Sequence, residues 1–243
     1  MFYSLESSML LVVVATYNER DNLPGLLEKI WAAVPEAKVL VVDDNSPDGT
    51  GQWCEEHAES EPRLDVRIRR GERGLGSATI LGLKAAIAGG YRAVATLDAD
   101  GSHDPAMLRP LHERLQAGPE SLGVVIGSRY IAGGAIVGWP WYRRWTSRVV
   151  NFWVRWLLGL QTRDNSGAFR VYRVSSLEKV GLDRIRSNGY AYLEELLFRL
   201  RQSGAGAEEL PITFRDRVTG DSKANWREAL AVLTRVLQLR WEV

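Results

Sequence analysis

The chain has a single cysteine, Cys54, so it holds no internal disulfide and no cysteine-built zinc site. Histidine is scarce too: His57, His103 and His112 show no metal-ligand spacing. No apolar run approaches the roughly 20 residues that a membrane-spanning helix needs. Met1-Phe2-Tyr3-Ser4-Leu5-Glu6 lacks the basic start and apolar stretch of a signal peptide. These absences set the expectation of a cytosolic chain that meets a membrane only from the cytoplasmic side. Neither sign of charge dominates, the formal net charge being +1, so bulk charge suggests no nucleic-acid partner. Internal repeats and low-complexity linkers are also missing.

What is present is a chain of 243 residues with the composition of an ordinary globular protein. Its first half alternates strand and helix signals. Apolar runs at Leu10–Ala15, Lys38–Val42, Ala93–Leu97 and Leu122–Ile126 read as buried strands, and Leu64–Ile68 as a short strand. Helix signals fall between them: Asn22 to about Ala33, with Pro24 in its first turn, then a polar helix from Asp48 or Thr50. Two more follow, Gly74 to Ile87 and Pro105 to about Gln116. This alternation predicts an α/β fold, a parallel sheet covered on both faces.

The most informative tripeptide is Asp98-Ala99-Asp100. Two carboxylates at i and i+2 after an apolar strand project to one side. A core would not accept them, because like charges repel and are costly to desolvate. A divalent cation, Mg2+ or Mn2+, resolves both problems and can hold a diphosphate in turn. Asp43-Asp44 ends another apolar strand. Two acidic strand ends on one parallel sheet point to a metal–nucleotide site along its carboxyl edge.

Composition changes after Gly133-Gly134. Between Trp139 and Arg173 lie seven arginines against one acid, Asp164, and five of the nine tryptophans. At helical spacing Trp145, Val149, Phe152, Trp153, Trp156 and Leu160 share a face, with Arg144, Arg148, Asn151 and Arg155 beside it. The segment reads either as a core-packed helix with solvated arginines or as a helix lying at a membrane interface. Residues 224–243 form a second amphipathic candidate, with Arg227, Arg235 and Arg240.

Thr16-Tyr17-Asn18-Glu19, Val42 to Thr50, Gly74-Leu75-Gly76, Asp98-Ala99-Asp100 and Gly127-Ser128-Arg129-Tyr130 occur in the order that resembles inverting glycosyltransferases of family 2. Gly138-Trp139, Arg143, Ser147-Arg148, Asn151, Asp164, Ser166-Gly167, Phe169-Arg170, Asp216-Arg217 and Ser222-Lys223 narrow the resemblance to polyprenol-phosphate mannose synthases of the dolichol type. The match spans about residues 10 to 223.

The resemblance implies a GT-A fold: Rossmann-like, mostly parallel, helices on both faces, with amphipathic interface helices added. Residues 1–223 would form the catalytic domain, 139–161 its membrane-interface segment. The implied reaction moves mannose from GDP-mannose to a polyprenyl phosphate. Thr16, Tyr17, Asn18, Glu19, Asp44 and Asp98 would bind the nucleotide sugar, with Glu19 on the ribose and Asp44 on the base. Asp98, Asp100 and Ser102 would hold the metal; Ser102 stands where some relatives place a Gln, and a hydroxyl is a poorer ligand. Arg129, Arg143, Ser147 and Arg148 would bind the acceptor phosphate. Asp98, Asp100, Arg129, Arg217 and Lys223 would carry the chemistry.

Other readings stay open at this stage. Asn18-Glu19 also suits a helix start, Asp43 a structural strand end, and Glu195 either an acid near the sugar or a surface charge. Asp164 either orients an arginine or contacts the sugar. UDP-glucose is the alternative donor, and a non-catalytic peripheral protein on anionic lipid the alternative class. Many relatives carry C-terminal membrane helices, so this chain resembles a membrane-peripheral type or relies on a partner subunit for anchoring.

Overall fold

The computed structural model describes residues 10–187, 189–216 and 235–240. Its centre is a seven-stranded sheet in the order β3-β2-β1-β4-β7-β5-β8. The strands are β1 (Leu10–Thr16), β2 (Lys38–Asp43), β3 (Leu64–Ile68), β4 (Ala93–Thr96), β5 (Leu122–Ser128), β7 (Arg170–Arg173) and β8 (Gly206–Pro211). Six run parallel; β7 alone is antiparallel, between β4 and β5. Four apolar runs and the short alternating stretch Leu64–Ile68 gave five of these strands, within one or two residues. β7 is a short strand whose two ends are arginines, and only its pairing on both sides makes it a core strand. A second, two-stranded sheet joins β6 (Ala135–Val137) to β9 (Thr213–Arg215).

Strand side chains alternate, so each central strand feeds two cores. Leu11, Val13, Leu40, Val42, Val94 and Ile126 face α3 (Leu75–Ala88), α6 (Val174–Val180) and α7 (Tyr192–Gln202). Leu10, Val12, Val14, Val39, Val41 and Val125 face α1 (Leu23–Ala33) and α4 (Leu108–Ala117). Helix α2 (Thr50–Ala58) lies against β3 and contributes Cys54. Helix α3 comes so close to β1 that a Cβ on Gly82 would sit 2.2 Å from Val13 Cγ1. That approach needs glycine.

Local signals held in outline and differed in detail. Pro105–Met107 forms a separate 3-10 turn ahead of α4, with Asp104 accepting the Ala106 N–H. Asn22 starts α1 but makes no side-chain cap; its amide donates to Glu19 instead (2.7 Å). Asp48 accepts the Thr50 N–H and hydroxyl and the Arg20 N–H, which makes it the organiser of the turn before α2.

The Trp/Arg segment forms α5 (Trp141–Leu158). Gly159, left-handed at φ 62°, ends it, so Leu160 is buried outside the helix rather than on the aromatic face. The buried edge of α5 is Asn151, Val154 and Leu158. Asn151 therefore belongs to the packed side, not to a solvated polar stripe. Trp141, Tyr142, Trp145, Phe152, Trp153 and Trp156 point outward, between 45% and 77% exposed. The core-packed reading of that face does not hold. No described helix is long and apolar enough to cross a membrane. Of the predicted C-terminal helix only 235–240 is described; it is helical, and Val236 and Leu239 enter the core beside α7.

Candidate active site

The carboxyl ends of β1, β2 and β4 open into one cleft of about 320 Å³, a volume suited to a small ligand. Tyr17 and Glu19 line it just after β1, Asp44 just after β2, and Asp98 and Asp100 just after β4. Thr16 lines it as well, but its hydroxyl donates to Asp43 at 2.8 Å.

The two acids of Asp43-Asp44 have separate tasks. Asp43 is fully buried and accepts from Thr16 Oγ1, the Ser46 N–H and the Ser46 hydroxyl. It ties the ends of β1 and β2 together. Asp44 reaches the cleft, yet its oxygens are held from behind: Oδ1 by Arg69 Nε (2.7 Å) and Oδ2 by the Gly74 N–H (2.7 Å). Arg69, itself buried, also donates to Ser77 Oγ and the Gly74 carbonyl. The guanidinium thus locks Asp44 to the first turn of α3.

Asn18 is exposed, with φ +61°, and does not line the cleft; Asn45 repeats that left-handed turn after β2. The Asn18 N–H donates to Ser46 Oγ, which ties this turn to the one after β2. Tyr17 instead faces Arg73, whose guanidinium lies 5.0 Å over the ring and 3.2 Å from the phenol oxygen.

Asp98 and Asp100 stand on one loop past the end of β4, partly exposed to the cleft. Asp100 Oδ1 accepts the Ser102 N–H at 3.0 Å. Ser102 is buried behind it, its carbonyl accepting from the Arg215 N–H, and does not line the cleft. The third ligand expected there is therefore absent from the wall. Among the described residues no three His, Cys, Asp or Glu side chains cluster as a metal cage. Two carboxylates suit a hexacoordinate cation that takes its other ligands from a substrate diphosphate and water. His103 supports the loop: Nδ1 accepts the Asp98 N–H at 3.2 Å. Burial pushes its imidazole down to about 4, which keeps it neutral and able to accept.

Arg129 follows β5 and is almost wholly buried. It grips Asp164 through Nε (2.7 Å), Nη2 (2.6 Å) and its own N–H (2.9 Å), and Nη2 also meets Ser166 Oγ. Burial works against both charges, yet each holds the other: the guanidinium rises above its ordinary value and the Asp164 carboxyl falls below its own. Asn151 of α5 donates to Ser166 Oγ and accepts the Asn165 N–H, which pins this loop to the helix. Arg129 is thus an inner cation, oriented by Asp164.

Arg143, Ser147 and Arg148 lie on the first half of α5. Arg143 stacks 4.0 Å over Trp139 and meets Asp216 at 3.3 Å. Ser147 accepts the Tyr130 hydroxyl at 2.6 Å, and Arg148 lies 5.8 Å over the Tyr130 ring. Rings connect this cluster to the acidic loop: His103 against Phe214 (5.5 Å), Phe214 against Trp139 (5.4 Å). Arg217 and Lys223 lie outside the described residues.

The sequence reading missed Arg69, Arg73 and the far wall of the cleft, Gly189 and Tyr190. Arg73 beside the Gly74-Leu75-Gly76 turn was the one readable signal. Glu195 is neither a surface charge nor a group on the cleft. It is fully buried in a web of donors.

Residues 11–181 match the family profile described as Glycosyl transferase family 2. A polyprenol monophosphomannose synthase of Mycolicibacterium smegmatis is 41% identical over 224 residues, 90% of this chain and 83% of that protein. An undecaprenyl-phosphate mannosyltransferase of Micrococcus luteus is 40% identical over 236 residues, 96% of each. Among solved structures, glucosyl-3-phosphoglycerate synthase from Mycobacterium tuberculosis, with Mn2+, UDP and glucosyl-3-phosphoglycerate, superposes with a TM-score of 0.69 at 18% identity. That match covers 96% of this chain and 80% of the other. A mannosyltransferase from Pyrobaculum calidifontis with GDP-Man and Mn2+ gives 0.63 at 18% identity, over 97% and 64%. At such identity the solved structures speak to the fold, a GT-A arrangement.

Proposed function

The chain belongs to glycosyltransferase family 2, and from that premise we propose that it moves mannose from GDP-mannose to a polyprenyl phosphate with inversion. The observation that carries this reading is the single cleft on which Tyr17, Glu19, Asp44, Asp98 and Asp100 converge. Glu19 accepts from ribose hydroxyls. Asp44, set by Arg69, faces the base.

Asp98 and Asp100 would hold Mg2+ or Mn2+, which neutralises the charge developing on the leaving diphosphate. A phosphate acceptor is already an anion near neutral pH, so the chain needs no strong general base. It needs cations for the acceptor: Arg143 and Arg148 on α5, with Ser147 and the inner Arg129 beside them. Asp216 and Trp139 keep the Arg143 guanidinium in place before the acceptor arrives. Arg217 and Lys223 are proposed to reach the phosphate groups on the strength of the sequence resemblance alone.

A polyprenyl tail does not enter water. The outward aromatic face of α5, with Arg144 and Arg155 at its flanks, supports a peripheral seat on the cytoplasmic face of a membrane. The catalytic unit then takes in α5. A membrane-anchoring partner subunit remains compatible with this seat. UDP-glucose is the second donor to test, since a solved relative of the same fold binds UDP. A purely lipid-binding role leaves the acidic cleft without purpose.

The decisive experiment mixes the protein with Mg2+ or Mn2+, a short-chain polyprenyl phosphate, and labelled GDP-mannose or UDP-glucose in separate tubes. Label passing from GDP-mannose into the organic phase is expected. Transfer from UDP-glucose alone would replace the donor, and transfer from neither would overturn the reading.

A further inference from the structure

The far wall of the cleft, Gly189 and Tyr190, belongs to a 3-10 turn that leads into α7. A 3-10 turn this short has few hydrogen bonds of its own, of poorer geometry than those of an α-helix. From the α3 side it is wedged: a Cβ on Gly76 would lie 3.0 Å from the Gly189 carbonyl and 3.2 Å from Tyr192 Cβ. The opposite side is held by Glu195, on the first turn of α7. Its carboxylate accepts the Ser187 N–H at 2.9 Å, the Ser187 hydroxyl, and the Arg186 N–H at 3.3 Å.

A carboxylate with no exposure needs countercharge. Arg199, one turn along α7, supplies part at 2.7 Å. Arg235 supplies the rest from the helix 235–240, 3.1 Å from Oε1, and also donates to Ser187 Oγ at 3.1 Å. Burial opposes ionisation, yet the Ser187, Arg199 and Arg235 donors hold the Glu195 carboxyl below the usual carboxylate range. The same C-terminal helix touches α5: Arg240 Nη1 donates to the Leu157 carbonyl at 3.2 Å.

We propose that Glu195 and Arg235 are positioning residues for the donor site: together they set the Gly189–Tyr190 wall, and so make the C-terminal helix part of nucleotide-sugar binding. The inference rests on reading the cleft as the donor site. It assigns a function to an acid that touches no substrate, and to an arginine some 40 residues further along the chain. It also gives α5 a physical route to the cleft, through Leu157, Arg240 and Arg235.

Arg235→Ala, Arg235→Gln and Arg235→Lys test it in the full chain, Gln keeping the packed stem should Ala unfold. Hydrogen exchange of the peptide over 185–192 reads the clamp directly. Steady-state transfer, with each substrate varied in turn, reads its use. For Ala and Gln, faster exchange and a donor KM raised about fivefold or more are expected, as befits loss of a charge-assisted bond. The acceptor KM should stay within about twofold, and Lys should recover most of the loss. Unchanged exchange overturns the clamp. Faster exchange with an unaltered donor KM, or donor and acceptor KM rising together, reduces Arg235 to a stabilising contact and overturns the role. A wild type that transfers no sugar overturns the underlying reading of the cleft, a failure seen before any variant is measured.

Discussion

Asp100→Asn changes one charge and almost no volume, at a side chain that is partly exposed and on a loop rather than in a strand. Transfer should fall by about two orders of magnitude or more, the scale of losing an electrostatic stabiliser of the transition state. Its Tm should stay within about 2 °C of wild type, because surface changes of this kind alter stability little. A Mn2+ titration of turnover checks the metal role, and full activity in the variant would refute it. Glu194, next to Glu195, behaves differently. It is fully buried, Oε2 has no hydrogen-bond partner among the described residues, and Arg170, Asp164 and Arg129 are charges near it. Burial pushes its carboxyl up to about 7. The folded chain therefore keeps this proton while the unfolded chain loses it near 4.5, so stability falls as pH rises from about 4.5 to 7. Glu194→Gln removes that penalty. Its Tm relative to wild type should rise between pH 5 and pH 8, read by thermal melts, with a ceiling of a few kcal/mol at about 1.4 per pKa unit. At this scale the sequence spoke clearly where a polar residue ended an apolar strand, as at Tyr17, Glu19, Asp44, Asp98 and Asp100. It was silent on Arg69, because an arginine after an amphipathic edge strand looks solvated until Asp44, 25 residues away, folds onto it.

Among elements, α5 carries the sharpest prediction. Trp145, Trp153 and Trp156 make ring contacts with one another or with Phe152 at most, and none is buried in the core. Replacing all three with Ser should leave Tm nearly unchanged while abolishing co-sedimentation with anionic liposomes. Nucleotide binding should survive. A triple variant that still sediments would remove the membrane seat. Helical periodicity had already grouped these rings; what it could not decide was which face packs. Val154 and Leu158 with a single polar residue, Asn151, form too sparse a stripe to recognise as the buried one. Strand β7 was hidden for a related reason: its place depends on two neighbours that are distant in sequence, not on its own four residues.

For the molecule as a whole, the acidic loop is a single segment, so a cation there joins no two elements. Chelation by EDTA should stop transfer and leave the melting curve of the ligand-less protein in place. Adding Mn2+ with GDP should raise Tm by mass action, worth about 2.7 kcal/mol at a hundredfold excess over Kd; a collapse of Tm on chelation alone would contradict this architecture. The parallel sheet with two covered faces was legible because continuous apolar strands demand it. The net charge of +1 said nothing, since the seven arginines between Trp139 and Arg173 are offset by acids elsewhere.

The wet aromatic face of α5 also governs how the protein behaves as a colloid. In plain buffer that face on one molecule can meet the same face on another, since most of the exposed large apolar side chains among the described residues lie on it. Elution volume should then drift with concentration, and a mild detergent above its critical micelle concentration should restore a single peak. A lag in any assay started from concentrated stock would reflect the slow parting of such pairs, not the chemistry of the cleft.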